Sequence, residues 1–361
     1  MRKLGRLLLT VGLIGTLAFG AIGCGSSKEN TKTQETKETE STEKQDSSAS
    51  GEKIKVRIGC VGENNVLTDA LGIAQEKGYL DEEMEKAGYE AEVIGFAQAG
   101  PAINEAFVSN EIEMAIYGDL PATLCKAAGT DTTIFAAEND QQQMCILAQK
   151  DSGIQSVKDL PGHKVIVAVG TIYQEYFKNI IEDAGIDEAE IEQINTFSDA
   201  SSIMQSGDAD ALITSTSIAR FLEEQGIGTV VQTSEETPEW TAQFFAVGQT
   251  QFLKENPEAA KALVKAAIRG KEYLSENKDE CYQLFSERSN GYSKAVYEKI
   301  YAYDETFPYL DPVLDQDNTD RLKKLVEFCK EESLITADVD VESFIDSSYA
   351  KEAAEEYAKE K

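Results

Sequence analysis

The chain has 361 residues, more than one compact domain usually holds, so two lobes are the first expectation. It carries 65 acidic side chains against 34 basic ones, a formal net charge of -31. That excess repels a phosphate backbone and no Lys/Arg stripe offsets it locally, which argues against nucleic acid as a partner.

The first element is an export signal. Arg2, Lys3 and Arg6 precede the apolar run "LLLTVGLIGTLAFGAIG", which stops at Cys24. A basic start, a short apolar stretch and small residues before a cut describe a secretory leader over 1–23. The run is interrupted by glycine and sits at the short edge for a membrane span. Its end, "AIGC", resembles the bacterial lipobox, with Ala21 where Leu is usual, and this implies lipidation of Cys24. Residues 25–53 contain no aromatic and almost no apolar side chain, so they cannot offset the entropy of ordering and are expected to form a disordered tether. Its reach is roughly 30 Å.

From Ile54 onward, short apolar strands alternate with amphipathic helices. "KIKVRIGCV" reads as a strand, "NVLTDALGIAQEKGYL" as a helix closing at Gly78, "YEAEVIGFA" as a strand and "PAINEAFVSN" as a helix begun by Pro101. "IEMAIYG" is a third strand, "LPATLCKAAG" a helix with Pro121 in its first turn, and "TIFAAE" the next strand. A second set follows: "KVIVAVG", a helix from Thr171 to about Ala184, "IEQINTF", "DALITS" and "GTVVQT", then "AQFFAVG" and a nearly all-helical tail from Gln251 to Lys361. The β-rich stretches "QMCILAQ" and "QFFAVGQ" bracket the middle block and read as paired crossover strands between lobes, forming a hinge. The first lobe is then discontinuous, 54–146 with 246–361, and the second, 147–245, is inserted into it. Strand-helix alternation of this kind means an α/β fold with ligand space at the strand C-termini.

Five cysteines follow Cys24: Cys60, Cys125, Cys145, Cys281 and Cys329. Their number is odd, no C-x-x-C occurs, and most lie in apolar runs. Free buried thiols are expected, with neither a disulfide framework nor a metal site.

In this order the segments "KVRIGCVG", "GYLDEEMEKAGYEAEVIGFAQAGPAINEAFVSNEIEMAIYGDLPATL", "KDSGIQSVKDLPGHKVIVAVGT", "SIMQSGDADALI" and "QFLKENPEAAKALVKAAIRGKEYLSENKDE" resemble the solute-binding proteins of ABC importers for nitrate, sulfonates and taurine. The resemblance runs from about Lys55 to Ala350. It implies a two-lobed type II periplasmic-binding-protein fold whose lobes are joined by two hinge strands. It also implies a monomer that closes on a small solute and docks on a permease, held to the outer face of the cell membrane by the lipid. It requires no cofactor.

The loops after the strands supply the candidate site. Glu63, Asn64 and Asn65 offer a carboxylate and two amides before a helix, with Asn capping as the plain alternative. Gln98 and Gly100 stand at the entrance of the next helix, where free N–H groups suit an anion. Gly118 permits close backbone approach, and Asp119 either caps its helix or meets a cationic group. Glu138 is the acid expected near the hinge; Asp140 beside it is expected to be solvated. On the second lobe, Gly170 and Thr171 match the family's Gly-Ser/Thr turn, which receives an anionic group. Thr171 to Gln174 is also a capping box, and the two roles coexist. Tyr173 walls the pocket. Thr214, Ser215 and Thr216 stand where many family members carry an aromatic and a Pro. Trp240 is expected in lobe packing and His163 in a surface turn.

No Ser-His-Asp set, H-E-x-x-H or Walker loop appears, so a carrier is expected rather than an enzyme. With no Lys or Arg assigned to the cleft, a zwitterion of the taurine type suits best, its acid end on Gly170-Thr171 and its amine toward a first-lobe carboxylate. A thiamine-precursor pyrimidine or another small nitrogenous solute is the alternative, and a tethered sensor the alternative role.

Overall fold

The computed structural model describes residues 53–361 except 290 and 303–306, with the backbone alone at 236 and 238. The leader, Cys24 and residues 25–52 lie outside the described residues. Among the described residues, no helix is long and apolar enough to cross a membrane.

In chain order the first lobe builds β1 (Ile54–Val61), α1 (Asp69–Glu76), α2 (Tyr79–Lys86), β2 (Tyr89–Phe96), α3 (Ala99–Val108), β3 (Met114–Gly118), α4 (Asp119–Ala127) and β4 (Thr132–Gln142). The second adds β5 (Met144–Gln149), β6 (Lys164–Ile166), α5 (Ile172–Asp183), β7 (Glu192–Ile194), α6 (Ala200–Ser206), β8 (Ala211–Ser215), α7 (Thr216–Glu224) and β9 (Gly228–Thr233). The chain then returns through β10 (Ala242–Gln249) and ends in α8 (Thr250–Glu255), α9 (Pro257–Glu276), α10 (Lys278–Arg288), α11 (Lys294–Ile300), α12 (Gln316–Glu331), α13 (Val341–Phe344) and α14 (Ser348–Glu360).

The two sheets repeat one plan. The first has the order β2-β1-β3-β10-β4, the second β7-β6-β8-β5-β9. The first three strands of each are parallel, and an antiparallel strand from the other side of a crossing sits between the third strand and the edge. The stretches expected to pair as a hinge therefore lie in different sheets: β5 pairs with β8 and β9, β10 with β3 and β4. Sheet membership changes at Gln143 and again between Thr233 and Ala242, so Met144–Ile146 ladder in the second sheet and Ala242–Phe245 in the first. "KVIVAVG" leaves the ladder after Ile166, although Val167 and Ala168 stay buried.

Central strands are apolar throughout because both faces are covered, as in β3, "MAIYG", whose five residues are all buried. Leu71, Leu263 and Met84 pack on one face of the first sheet, Phe107, Tyr117 and Leu322 on the other. In the second lobe, Tyr176 and Phe177 of α5 pack on one face, and Met204 and Leu222 of α6 and α7 on the other. Trp240 packs half-buried on the α5 side, and His163 pairs with Asp210 (Nδ1 to Oδ2 3.3 Å).

The tail does more than cover the first lobe. α9 packs on α1 and α2, α14 on α9, and α12 on α4, whereas α11 packs on α7 of the second lobe. There the Phe221 and Tyr292 rings stack 4.4 Å apart and Ser293 Oγ donates to Glu224 Oε1 at 2.8 Å. Arg321 of α12 ties both crossings together, donating to the carbonyls of Asp140 and Thr241 and to Thr241 Oγ1.

Candidate functional site

Where the two sheets face each other, a cavity of about 490 Å³ opens, within the range of small-molecule sites. The first lobe lines it with residues 62–64 and 66–69 of the β1–α1 loop and with Asn139, Gln141 and Gln142 of β4. The second lobe contributes Tyr173, residues 196–198, and Thr214–Ile218 at the turn from β8 into α7. The third side is the tail: Phe285, Arg288, Ser289, Tyr292, Tyr297, Tyr301 and Tyr309.

Five of the residues expected from the sequence meet there: Glu63, Asn64, Tyr173, Thr214 and Ser215, with Thr216 beside them. Tyr173 is buried in a stack with Phe197 (centroids 6.0 Å, planes 11° apart), and burial pushes its phenol up to about 12. Ser215 caps α7, its Oγ accepting from Ile218 N at 3.4 Å. Thr216 Oγ1 is buried without a hydrogen-bond partner.

The other eight are placed elsewhere, each for a local reason. Asn65, in a left-handed conformation (φ 53°), accepts from Gly95 N through Oδ1 at 2.8 Å, which fixes the loop. Gln98 Nε2 donates to Ser198 Oγ at 3.0 Å, linking loops of the two lobes. Gly100 lies against Pro121, where a Cβ would stand 2.4 Å from Pro121 Cβ. Gly118 faces Ile172 of the other lobe, and Gly170, at φ 76°, faces Pro101. These three glycines thus allow the lobes and helix starts to approach one another. Thr171 is a cap: Oγ1 donates to Ala168 O (2.7 Å) and accepts from Tyr173 N (3.2 Å). The Gln174 side chain accepts from Gly170 N at 2.8 Å, one residue earlier than the box requires.

Asp119 is buried, its carboxylate accepting from Leu120 N (2.8 Å) and Gln243 N (2.9 Å). Burial raises its pKa, opposed by Gln243 N–H and the Arg321 charge. Across the lobe contact, burial and then the Asp119 charge raise Glu175 of α5 well above the carboxylate range. Asp140, expected to be solvated, is largely buried beside Arg321, and burial raises it to about 6. Glu138 is buried behind Asp69; burial and then the Asp69 charge hold it well above the ordinary range.

Sequence reasoning missed three things. Asp69, 8% exposed, reaches the cavity from the first turn of α1, where an acid reads as ordinary dipole complementation. The aromatic wall lies in a helical tail, where rings at helical spacing (Tyr297 and Tyr301) read as core. Arg288 is a basic side chain on the cavity wall, but it is engaged with α1: Nη1 donates to Gly72 O and Nη2 to Gln75 Oε1, both at 2.6 Å, and Nε stands 3.2 Å from Glu76 Oε2. The five cysteines after Cys24 are free and buried.

A family model described as NMT1/THI5 like matches residues 69–281. An aliphatic sulfonates-binding protein of Bacillus subtilis (strain 168) is 25% identical over 317 residues, 86% of this chain and 92% of its own. The alkanesulfonate-binding protein SsuA of Xanthomonas axonopodis pv. citri, solved with MOPS bound, has a TM-score of 0.70 at 16% identity, over 82% of this chain and 99% of that one. The desulfurization enzyme DSZB has a TM-score of 0.64, also at 16% identity, over 84% of this chain and all of its own, so the fold alone does not separate carrier from catalyst. The family match ends at Cys281, and the aromatic tail residues of the cavity lie beyond it.

Proposed function

The chain belongs to the NMT1/THI5-like family, and on that premise we propose that it is the solute-binding component of an ABC importer, a carrier that captures a small organic solute between its lobes and presents it to a permease. The observation that carries this reading is the cavity of about 490 Å³ walled by both lobes and the tail. A solute touching both lobes stabilises the closed arrangement more than the open one, and that difference drives closure.

A taurine-like or aliphatic sulfonate is the first reading of the solute. Its acid end faces the hydroxyls of Thr214, Ser215 and Thr216 at the start of α7, which replace Gly170-Thr171 as the seat. The rings of Phe197, Phe285, Tyr292 and Tyr297 favour a second reading, a flat nitrogenous solute such as a thiamine-precursor pyrimidine. A thermal-shift panel of taurine, alkanesulfonates, nitrate and aminopyrimidines on the full chain decides between them. Stabilisation by sulfonates alone supports the first and by aminopyrimidines alone the second; no shift with any member refutes solute capture of these classes. Uptake measured with and without the neighbouring permease separates transport from sensing.

The mature chain acts as a monomer, anchored outside the cell through lipid on Cys24 and the tether to residue 53. Cys24→Ser is expected to release it from the membrane into the medium. Undiminished membrane association would refute the anchor.

A further inference from the structure

The cavity wall includes a buried carboxylate, Asp69, that the protein itself leaves without a counter-charge. Asp69 is 8% exposed, and among the described residues no Lys, Arg or His stands within ion-pair distance of it. Its partners are neutral: the Tyr301 hydroxyl donates to Oδ1, and Asn139 Nδ2 donates to Oδ2 at 3.2 Å. Asp69 also sits at φ 49°, a left-handed conformation unfavourable for a residue with a Cβ. Such a conformation persists where the surroundings over-determine it, as they do at ligand clamps. Burial raises the Asp69 pKa, opposed by the Tyr301 and Asn139 hydrogen bonds, and a cation arriving in the cavity it lines would favour its ionised form.

The surroundings favour a cation. Phe285 lies 5.3 Å from Tyr297 and 5.8 Å from Tyr301, and Tyr292 lies 6.2 Å from Tyr297, centroid to centroid. These rings line the cavity together with Asp69, and aromatic rings attract cations most strongly where water is excluded. The competing cation, Arg288, is turned away onto Gly72, Gln75 and Glu76 of α1. Glu138 behind the site is driven toward its neutral form by burial and by the Asp69 charge. The chain's net charge of -31 adds a long-range field that concentrates cations.

We infer that the cavity takes a solute bearing an organic cation, a protonated amine or a quaternary ammonium group, with Asp69 as its counter-ion and the tail tyrosines as its cage. The inference rests on the solute-capture reading and narrows it: a solute with only an anionic end is excluded, while a zwitterion whose acid end reaches the start of α7 fits.

The test is equilibrium dialysis of the full chain against pairs matched in shape and differing in the cationic group. The pairs are choline with 3,3-dimethylbutan-1-ol, taurine with 2-hydroxyethanesulfonate, and phenethylamine with 2-phenylethanol. The cationic member of at least one pair is expected to be held at least about tenfold more tightly. Asp69→Asn is expected to abolish that preference with the native fold retained in circular dichroism, since removing one partner of a buried charge pair has effects of this size or larger. Equal or tighter retention of the cation-free members overturns the inference and leaves solute capture standing. A preference that survives Asp69→Asn overturns the role of Asp69. Retention of no member counts against solute capture itself, and the inference falls with it. If Asp69→Asn does not fold, the preference within the unmodified chain decides.

Discussion

Gly118 offers a way to obstruct closure without disturbing either lobe. A Cβ at this position would stand 2.4 Å from Ile172 Cγ2, at the start of α5 in the opposite lobe. The backbone there is extended, φ -69°, so alanine meets no conformational strain and the whole effect is the contact. Relieving it requires the lobes to part by about 1 Å, and overpacking of this kind costs about 1–3 kcal/mol. Because the cost falls on the closed arrangement, Gly118→Ala should weaken solute binding by about 5- to 150-fold. The melting temperature of the solute-free protein should hardly move. Gly100→Ala is the internal contrast. Its Cβ would stand 2.4 Å from Pro121 Cβ within the first lobe, so it should lower the melting temperature instead. Calorimetric titration with the solute that most stabilises the unmodified chain, beside thermal unfolding of each variant, measures both effects. Adding Ile172→Ala to Gly118→Ala removes the opposing methyl and should restore affinity, the non-additivity expected of touching residues. Unchanged affinity for Gly118→Ala, or a melting loss equal to that of Gly100→Ala, would refute the reasoning.

Arg321→Met strips the bonds to the Asp140 and Thr241 carbonyls and removes the cation beside Asp119, Asp140 and Glu175; a loss of about 2–4 kcal/mol in urea unfolding is expected, and an unmoved midpoint would sink the clamp. Burial raises Asp140 to about 6, and Asp119 and Glu175 are raised as well, so the folded chain binds more protons than the unfolded one. Their stabilising contribution is complete below the ordinary carboxylate range and is lost as pH rises through the folded values. Unfolding free energy should therefore fall between pH 5 and 7, by about 1 kcal/mol for Asp140 alone, with Asp140→Asn flattening the slope; a rise over that interval contradicts the assignment. Burial pushes the Cys60, Cys145, Cys281 and Cys329 thiols up to about 12 and also raises Cys125. In a Cys24→Ser chain, a thiol reagent at pH 8 should react only after denaturation, and a rapid phase in the native protein would count against this burial.

The strands, the helices and the two-lobed plan were legible because hydrophobic period follows secondary structure directly. Loop candidates reach the cavity where the strand-end rule applies, at Glu63, Asn64, Thr214 and Ser215. Gly118 and Gly170, read as room for a solute, lie against the other lobe instead. Asp119 is turned from the cavity for a different reason: its carboxylate is taken up by two backbone N–H groups, one of them on β10, far away in sequence. Asp69 and the rings of α10 and α11 were invisible because a first-turn acid and a helical aromatic stripe each have an ordinary local explanation. Only the third dimension brings them together.

The arm formed by α10 and α11 has a further consequence. It carries Phe285 and Tyr297 of the cavity's aromatic lining, packs on α7 and is tied to α1 through Arg288, yet it belongs to neither sheet. Exchanging a ring on this arm is therefore expected to change which solute the cavity accepts while the strands of both sheets stay as they are.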